Sequence, residues 1–244
     1  MVVAGSVPPA VILGLMALLA GPLIAVLVAV VVGGALASWL WWGGERRILR
    51  ALAARPALPS DDARLLNLVD GLCAASGVRQ PRVLISEDPG LNLLVAGRST
   101  DRAILAVTSG LLSGLSRIEL EGVLADGLVQ IRRGDIVAAT VAVATFGLAW
   151  RFAFDAGDHD TDVDRAGMAL TRYPPALASA FETMDRLGTT VAGVAPSMAP
   201  LWLADPGRRR STPGAAPTDP GDAAATSALA RPPLLARASL LREL

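Results

Sequence analysis

Ser116-Arg117-Ile118-Glu119-Leu120-Glu121-Gly122-Val123-Leu124-Ala125-Asp126-Gly127-Leu128-Val129-Gln130-Ile131-Arg132-Arg133 carries the plainest structural signal in the chain. Ser116 followed three residues later by Glu119 reads as a capping box, in which a hydroxyl and a carboxylate satisfy amides that a helix start leaves open. Leu120, Val123, Leu124, Leu128 and Ile131 recur at helical spacing, so the run from Arg117 to Arg133 is a helix with one apolar face. Asp126 and Gln130, four apart, share the other face. What surrounds this helix decides what those two side chains are for.

Toward the N-terminus, Ser60 with Asp61 and Asp62 reads as a capped helix start, and Leu65, Leu66, Val69 and Leu72 continue as an apolar stripe to Gly77. Val83 to Ile85, Leu91 to Ala96 and Ala103 to Val107 read as short strands, with Gly97-Arg98-Ser99 turning between the last two. Toward the C-terminus, Ile136 to Phe154 is a second apolar stretch, followed by an acidic segment over residues 155–164 read as a solvated loop. A helix then starts at Pro174-Pro175, with proline in its first turn, and ends near Leu187. Residues 205–230 are rich in Pro, Gly, Ala, Ser and Thr, a flexible-linker composition, and residues 231–244 read as a Leu-rich helix packing on the domain. The expected fold class is α+β, mainly helical, with a small sheet.

Residues 1–44 contain no charged side chain; Glu45 is the first. A helix needs about 20 residues to cross a bilayer core, so this run is too long for one ordinary span. Gly21-Pro22 interrupts it, which predicts a transmembrane hairpin with helices from about Val7 to Ala20 and Leu23 to Trp42. One long tilted span is the alternative. Trp39, Trp41 and Trp42 fit an aromatic belt, and Arg46, Arg47, Arg50 and Arg55 place the following domain in the cytoplasm. A cleaved leader ending near Ala35-Leu36-Ala37 fits less well, because no basic region precedes the apolar run. The expected location is the cell membrane, multi-pass. The stretch 136–154 is expected as a helix on the domain or in the interface.

Composition agrees: 52% of residues are hydrophobic and the mean hydropathy is +0.49. Net charge is zero and the pI about 6.6, so no basic field points to nucleic acid. The single cysteine, Cys73, has no partner for an internal disulfide and sits in an apolar helical pattern. There is one histidine, His159.

Several segments, in order, resemble the HtpX branch of the membrane zinc metallopeptidases, the family that includes the CAAX prenyl proteases. Leu91-Asn92-Leu93-Leu94-Val95-Ala96-Gly97-Arg98 stands where the family reads proline-asparagine-alanine-phenylalanine-alanine-threonine-glycine-arginine. Ala106-Val107-Thr108-Ser109-Gly110-Leu111-Leu112 matches its next element, and Glu119-Leu120-Glu121-Gly122-Val123-Leu124-Ala125 matches the lead-in to its zinc helix. Asp164-Arg165-Ala166-Gly167, Pro175-Ala176-Leu177-Ala178-Ser179-Ala180 and Arg231-Pro232-Pro233-Leu234-Leu235-Ala236-Arg237 resemble later segments, the last without the family's histidine. The resemblance implies a gluzincin-like peptidase domain over residues 45–204 behind the 1–44 hairpin. It also implies a substrate strand at Asn92, Leu93, Leu94, Val95 and Ala96, where an extended chain adds by main-chain hydrogen bonds. An ordinary edge strand is the equal alternative for that segment.

The family's chemistry needs a histidine-glutamate-x-x-histidine helix, two imidazoles on zinc and a glutamate base, with a further glutamate as third ligand. The matching positions here are Asp126, Gly127 and Gln130, and the third-ligand position falls on Asp160. An amide is a poor zinc ligand, glycine moves no proton, and one histidine cannot supply two imidazoles. The expectation is therefore a pseudo-metalloprotease with the family zinc lost and no replacement cofactor. Such a chain acts by binding an active membrane protease or membrane-protein substrates. A metal-dependent endopeptidase using Asp126, His159 and Asp160, and a purely structural membrane protein, are the competing readings.

Overall fold

The computed structural model describes residues 22–144, 156–171, 173, 175–207 and 233–243. The first predicted hairpin helix therefore lies outside the described residues, as do most of the linker and the end of the 136–154 stretch. The chain divides into two units, Met1–Gly43 and Gly44–Leu244. In the first, helix α1 (Pro22–Leu52) begins, and its Ile24, Val26, Leu27, Val30 and Val31 are exposed. Among the described residues no helix is long and apolar enough to cross a membrane; several α1 side chains lie outside the description.

The second unit continues with β1 (Arg55–Pro56), α2 (Ala63–Ser76), β2 (Arg82–Ser86), β3 (Leu93–Gly97), β4 (Ala103–Thr108) and α3 (Ser109–Gly114). Then come α4 (Arg117–Arg133), α5 (Asp135–Ala144), α6 (Ala156–Thr171), α7 (Pro175–Leu187) and α8 (Leu234–Arg242). This is the mainly helical α+β class with a small sheet. The sheet order is β1-β2-β4-β3, with β2 parallel and β3 antiparallel to β4, so β3 is an edge.

Period-two alternation divides the sheet side chains between two cores. Val83, Ile85, Leu93, Val95, Leu105 and Val107 face the core built by α2, α4, α6, α7 and α8. Leu84, Leu94, Ala96, Ile104 and Ala106 face a second core with Ile48, Leu52, Ala139, Met198, Leu201 and Trp202. Both faces are covered, which explains why the strands read as continuous apolar runs rather than alternating ones.

The α4 capping box forms as read. Ser116 N–H donates to Glu119 Oε2 at 2.9 Å, and Glu119 N–H donates to Ser116 Oγ at 3.4 Å. Gly134, left-handed at φ 81°, ends the helix. Three readings need correction. The α2 start carries no side-chain cap; Asp62 instead accepts from Leu58 N–H at 2.9 Å and pairs with Arg55 at 2.7 Å. The linker does not begin at Asp205, because Val191 N–H donates to Pro206 O at 2.9 Å and holds that end to the domain. The acidic segment is not a solvated loop: from Ala156 it is helix α6, and Asp164 and Val163 are buried. Aspartates near a helix N-terminus complement its dipole, which favours the helix over the loop.

Candidate functional site on the central helix

Helix α4 lies at the centre of the domain, and its polar pair is buried. Asp126 is 0% exposed and Gln130 5%. Gln130 Nε2 donates to Asp126 Oδ2 at 2.8 Å, so the two positions that match family ligands close on each other. Two glycines let neighbouring helices reach α4. A Cβ at Gly167 would stand 3.1 Å from Asp126 Cα, and one at Gly122 3.1 Å from Leu177 N. Helices α6 and α7 therefore cross α4 at backbone contact.

Gly127, the position matching the family's base, faces the sheet. A Cβ there would stand 2.8 Å from Leu93 Cδ2 and 3.3 Å from Leu105 Cδ1. The 126/130 face, polar in sequence, is packed interior. An open groove of about 630 Å³ is lined instead by residues including Glu87, Leu91, Ser109, Ser113 and Leu187, and neither Asp126 nor Gln130 lines it.

The donor set does not fit the family's zinc. The amide at 130 gives its N–H to the neighbouring carboxylate, and position 127 offers no side-chain atom. Among the described residues no group of three or more His, Cys, Asp or Glu side chains is placed to hold a metal. Asp160 and His159 lie on α6, the helix that crosses α4, but their side chains lie outside the description. Cys73 is buried, and burial pushes its thiol pKa up, away from nucleophilic use.

The site holds a charged group that the sequence reading missed. Arg237 on α8 is 2% exposed and Asp164 on α6 is 1% exposed. The guanidinium donates Nε–H to Asp164 Oδ2 at 2.9 Å, a second bond from Nη2 to Asp164 Oδ1, and Nη1–H to Leu203 O at 2.9 Å. It also stacks 4.4 Å above the Phe181 ring. Each residue stands in a family-like segment, but nothing local marks two residues 73 apart as partners.

The candidate substrate strand is present as β3, although it begins at Leu93 rather than Leu91. Asn92 precedes it as an anchor: its Nδ2 donates to Thr189 O at 3.1 Å and Ala204 O at 2.9 Å, and its Oδ1 accepts from Ala204 N–H at 3.2 Å. All five β3 residues are buried. Outside β3, Leu94 forms an antiparallel bridge with Trp202, and Leu203 N–H donates to Leu93 O at 2.8 Å.

No family model matches the chain. Among curated proteins it is similar to the Protease HtpX homolog of Gemmatimonas aurantiaca, 29% identical over 224 residues, covering 84% of this chain and 78% of that one. The Protease HtpX homolog of Lactobacillus helveticus is 30% identical over 202 residues, 79% of this chain and 64% of its own. That of Dictyoglomus thermophilum is 27% identical over 200 residues, 65% of this chain and 66% of its own. These similarities, each over most of the chain, lead to one conclusion: this is an HtpX-like chain, similar to the HtpX protease homologues.

Proposed function

We propose that this chain is a membrane-anchored HtpX-like protein without peptidase chemistry, acting by binding in membrane-protein quality control or protease regulation. One observation carries the reading. The pair at the positions of the zinc ligands is a buried carboxylate and amide bonded to each other, with no side chain at the base position between them. A hydrolytic site needs an activated water and a group to take its proton; Gly127 has no side chain to take one, and the Asp126 carboxylate is buried against Gln130, away from the open groove.

The anchor rests on the uncharged N-terminal run and on the row of exposed apolar side chains on α1. Its orientation, with the domain cytoplasmic, rests on the arginines after Trp42. Binding of extended chain is placed at β3, since strand addition relies on main-chain groups and survives loss of the catalytic residues. One observation favours a second, purely structural reading: β3 is buried and its outer edge is already paired with Leu203.

Purified full-length chain is expected to carry no stoichiometric zinc and to leave unfolded test proteins uncut. One tightly held zinc per chain, lost on Asp160→Ala, would overturn the proposal, and cleavage by that zinc-loaded chain would point instead to a metal-dependent endopeptidase using Asp126, His159 and Asp160.

A further inference from the structure

The outer edge of β3 is occupied by the chain's own residues, and the way they sit there is that of an inserted segment rather than of a sheet strand. The segment from Thr189 to Pro206 closes on itself at its neck: Val191 N–H donates to Pro206 O at 2.9 Å, and Thr189 Oγ1 donates to Asp205 O at 2.9 Å. A loop whose ends meet is a compact unit of the surface, here tied to the domain also by Ala192 N–H donating to Asp88 Oδ2 at 2.9 Å. Between the ends, Pro196–Leu201 is a 3₁₀ turn, and only Leu201 to Ala204 run beside β3.

The contact itself is short. It consists of one isolated bridge, Leu94 with Trp202, the Leu203 N–H to Leu93 O bond, and the Asn92 side-chain amide, which pairs with Ala204 N–H and O as a peptide group would. Beyond it, the edge at Gly97 is capped by a side chain, its N–H donating to Thr140 Oγ1 at 2.9 Å. The anchor side chain is imperfectly satisfied. Trp202 is 0% exposed, yet its indole N–H meets no acceptor among the described residues. Buried donors are paired in nearly all native contacts, and an orphan weakens the contact that buries it.

We infer that the strap Leu201–Ala204 is an intramolecular stand-in for an extended peptide, closing the β3 edge until a competing chain displaces it. This rests on the reading that β3 binds extended polypeptide. The ligand class follows from the pairing: an antiparallel segment with an aromatic residue for the Trp202 pocket and apolar neighbours on either side. Arg237 holds the strap from behind through Leu203 O, so release also requires that bond to break.

The test uses full-length chain in detergent and a labelled peptide copying Met198 to Gly207. Trp202→Ala removes the anchor and is expected to bind the peptide at least about tenfold tighter than the unmodified chain. Equal binding by the two would overturn the inference. Because Trp202→Ala empties a buried site, a second variant guards against misfolding. Leu94→Cys with Trp202→Cys places two thiols at a non-hydrogen-bonded antiparallel pair, where Cα atoms lie about 4.5 Å apart, within disulfide range. Oxidised, the strap is locked and the peptide should not bind; reduced, it should bind. Binding that ignores the redox state would count against a strap. Hydrogen exchange at Leu203 separates the two layers of the idea. Exchange only through global unfolding overturns the strap, whatever the peptide does. Exchange through local opening, with no peptide bound by either chain, overturns the inference at its ligand and also removes peptide binding at β3 from the proposed function.

Discussion

At the residue scale, the Asp126–Gln130 pair is a buried carboxylate held by a buried amide. A buried carboxylate needs donors, and Gln130 provides one at 2.8 Å. Gln130→Leu is therefore expected to destabilise the domain by about 1–3 kcal/mol, read as a lower urea midpoint; an unchanged midpoint would mean that water replaces the lost bond. The same burial alters the outlook for rebuilding the site. Asp126→His, Gly127→Glu, Gln130→His and Asp160→Glu together place two imidazoles in packed interior and a glutamate against Leu93 and Leu105. The fourfold variant is expected to melt lower than the parent without zinc and to recover part of the loss with it. If zinc leaves its melting temperature untouched, residue 160 does not face α4.

Glu119 makes a residue-scale prediction in pH. Burial raises its carboxyl pKa, but hydrogen bonds from Ser179 at 2.6 Å, from Ser116, and from Thr183 at 3.2 Å outweigh it, and the net shift is downward from 4.5. A pKa lowered on folding means that the unfolded chain binds the proton more readily. The stabilisation is then present above the ordinary carboxyl range and lost as pH falls through the lowered value. Between pH 7 and pH 3 the parent should lose more stability than Glu119→Gln does, measured by urea unfolding at each pH.

At the scale of elements, two features hold α4 in place: helix crossings made close by glycine, and a buried ion pair joining α6 to α8. Gly167→Val would drive methyl groups into the Asp126 backbone and is expected to cost about 1–3 kcal/mol through overpacking. Arg237→Met leaves Asp164 buried without its partner, and breaking such pairs costs about 3–5 kcal/mol. Removing both charges in Arg237→Met with Asp164→Leu should cost distinctly less, because no lone charge remains. Equal losses for the single and double variants would show that the Leu203 O and Phe181 contacts of Arg237, not its charge pairing, secure α8. The element scale also accounts for β3, which carries one apolar set into each core and so is a fully buried strand at a topological edge.

For the whole molecule, the proposed arrangement is an apolar N-terminal anchor followed by a domain on the cytoplasmic side. Cysteines introduced at Ser60 and Thr190 should both react with a membrane-impermeant reagent from the same side, and labelling from opposite sides would sink the arrangement. Within the domain, Ile136 and Ala139 are buried against the two cores. The start of the 136–154 stretch is thus spent on packing.

Much of this was legible before any tertiary contact was known, because it is local. The capping box at Ser116, the helix end at Gly77, and the strands around Leu84, Val95 and Leu105 depend on a few neighbouring residues. The ordered family-like segments were equally readable, and the single histidine is a matter of inventory. The remainder depended on partners far apart in the chain. Asp164 read as loop until it met Arg237 73 residues on; Asn92 took its role from Ala204 112 residues away; Asp126 read as the polar face of its helix, and α6 packs against its backbone. A polar side chain looks the same in sequence whether it faces water or a partner. Only the packing of distant helices removes the water and decides which it is.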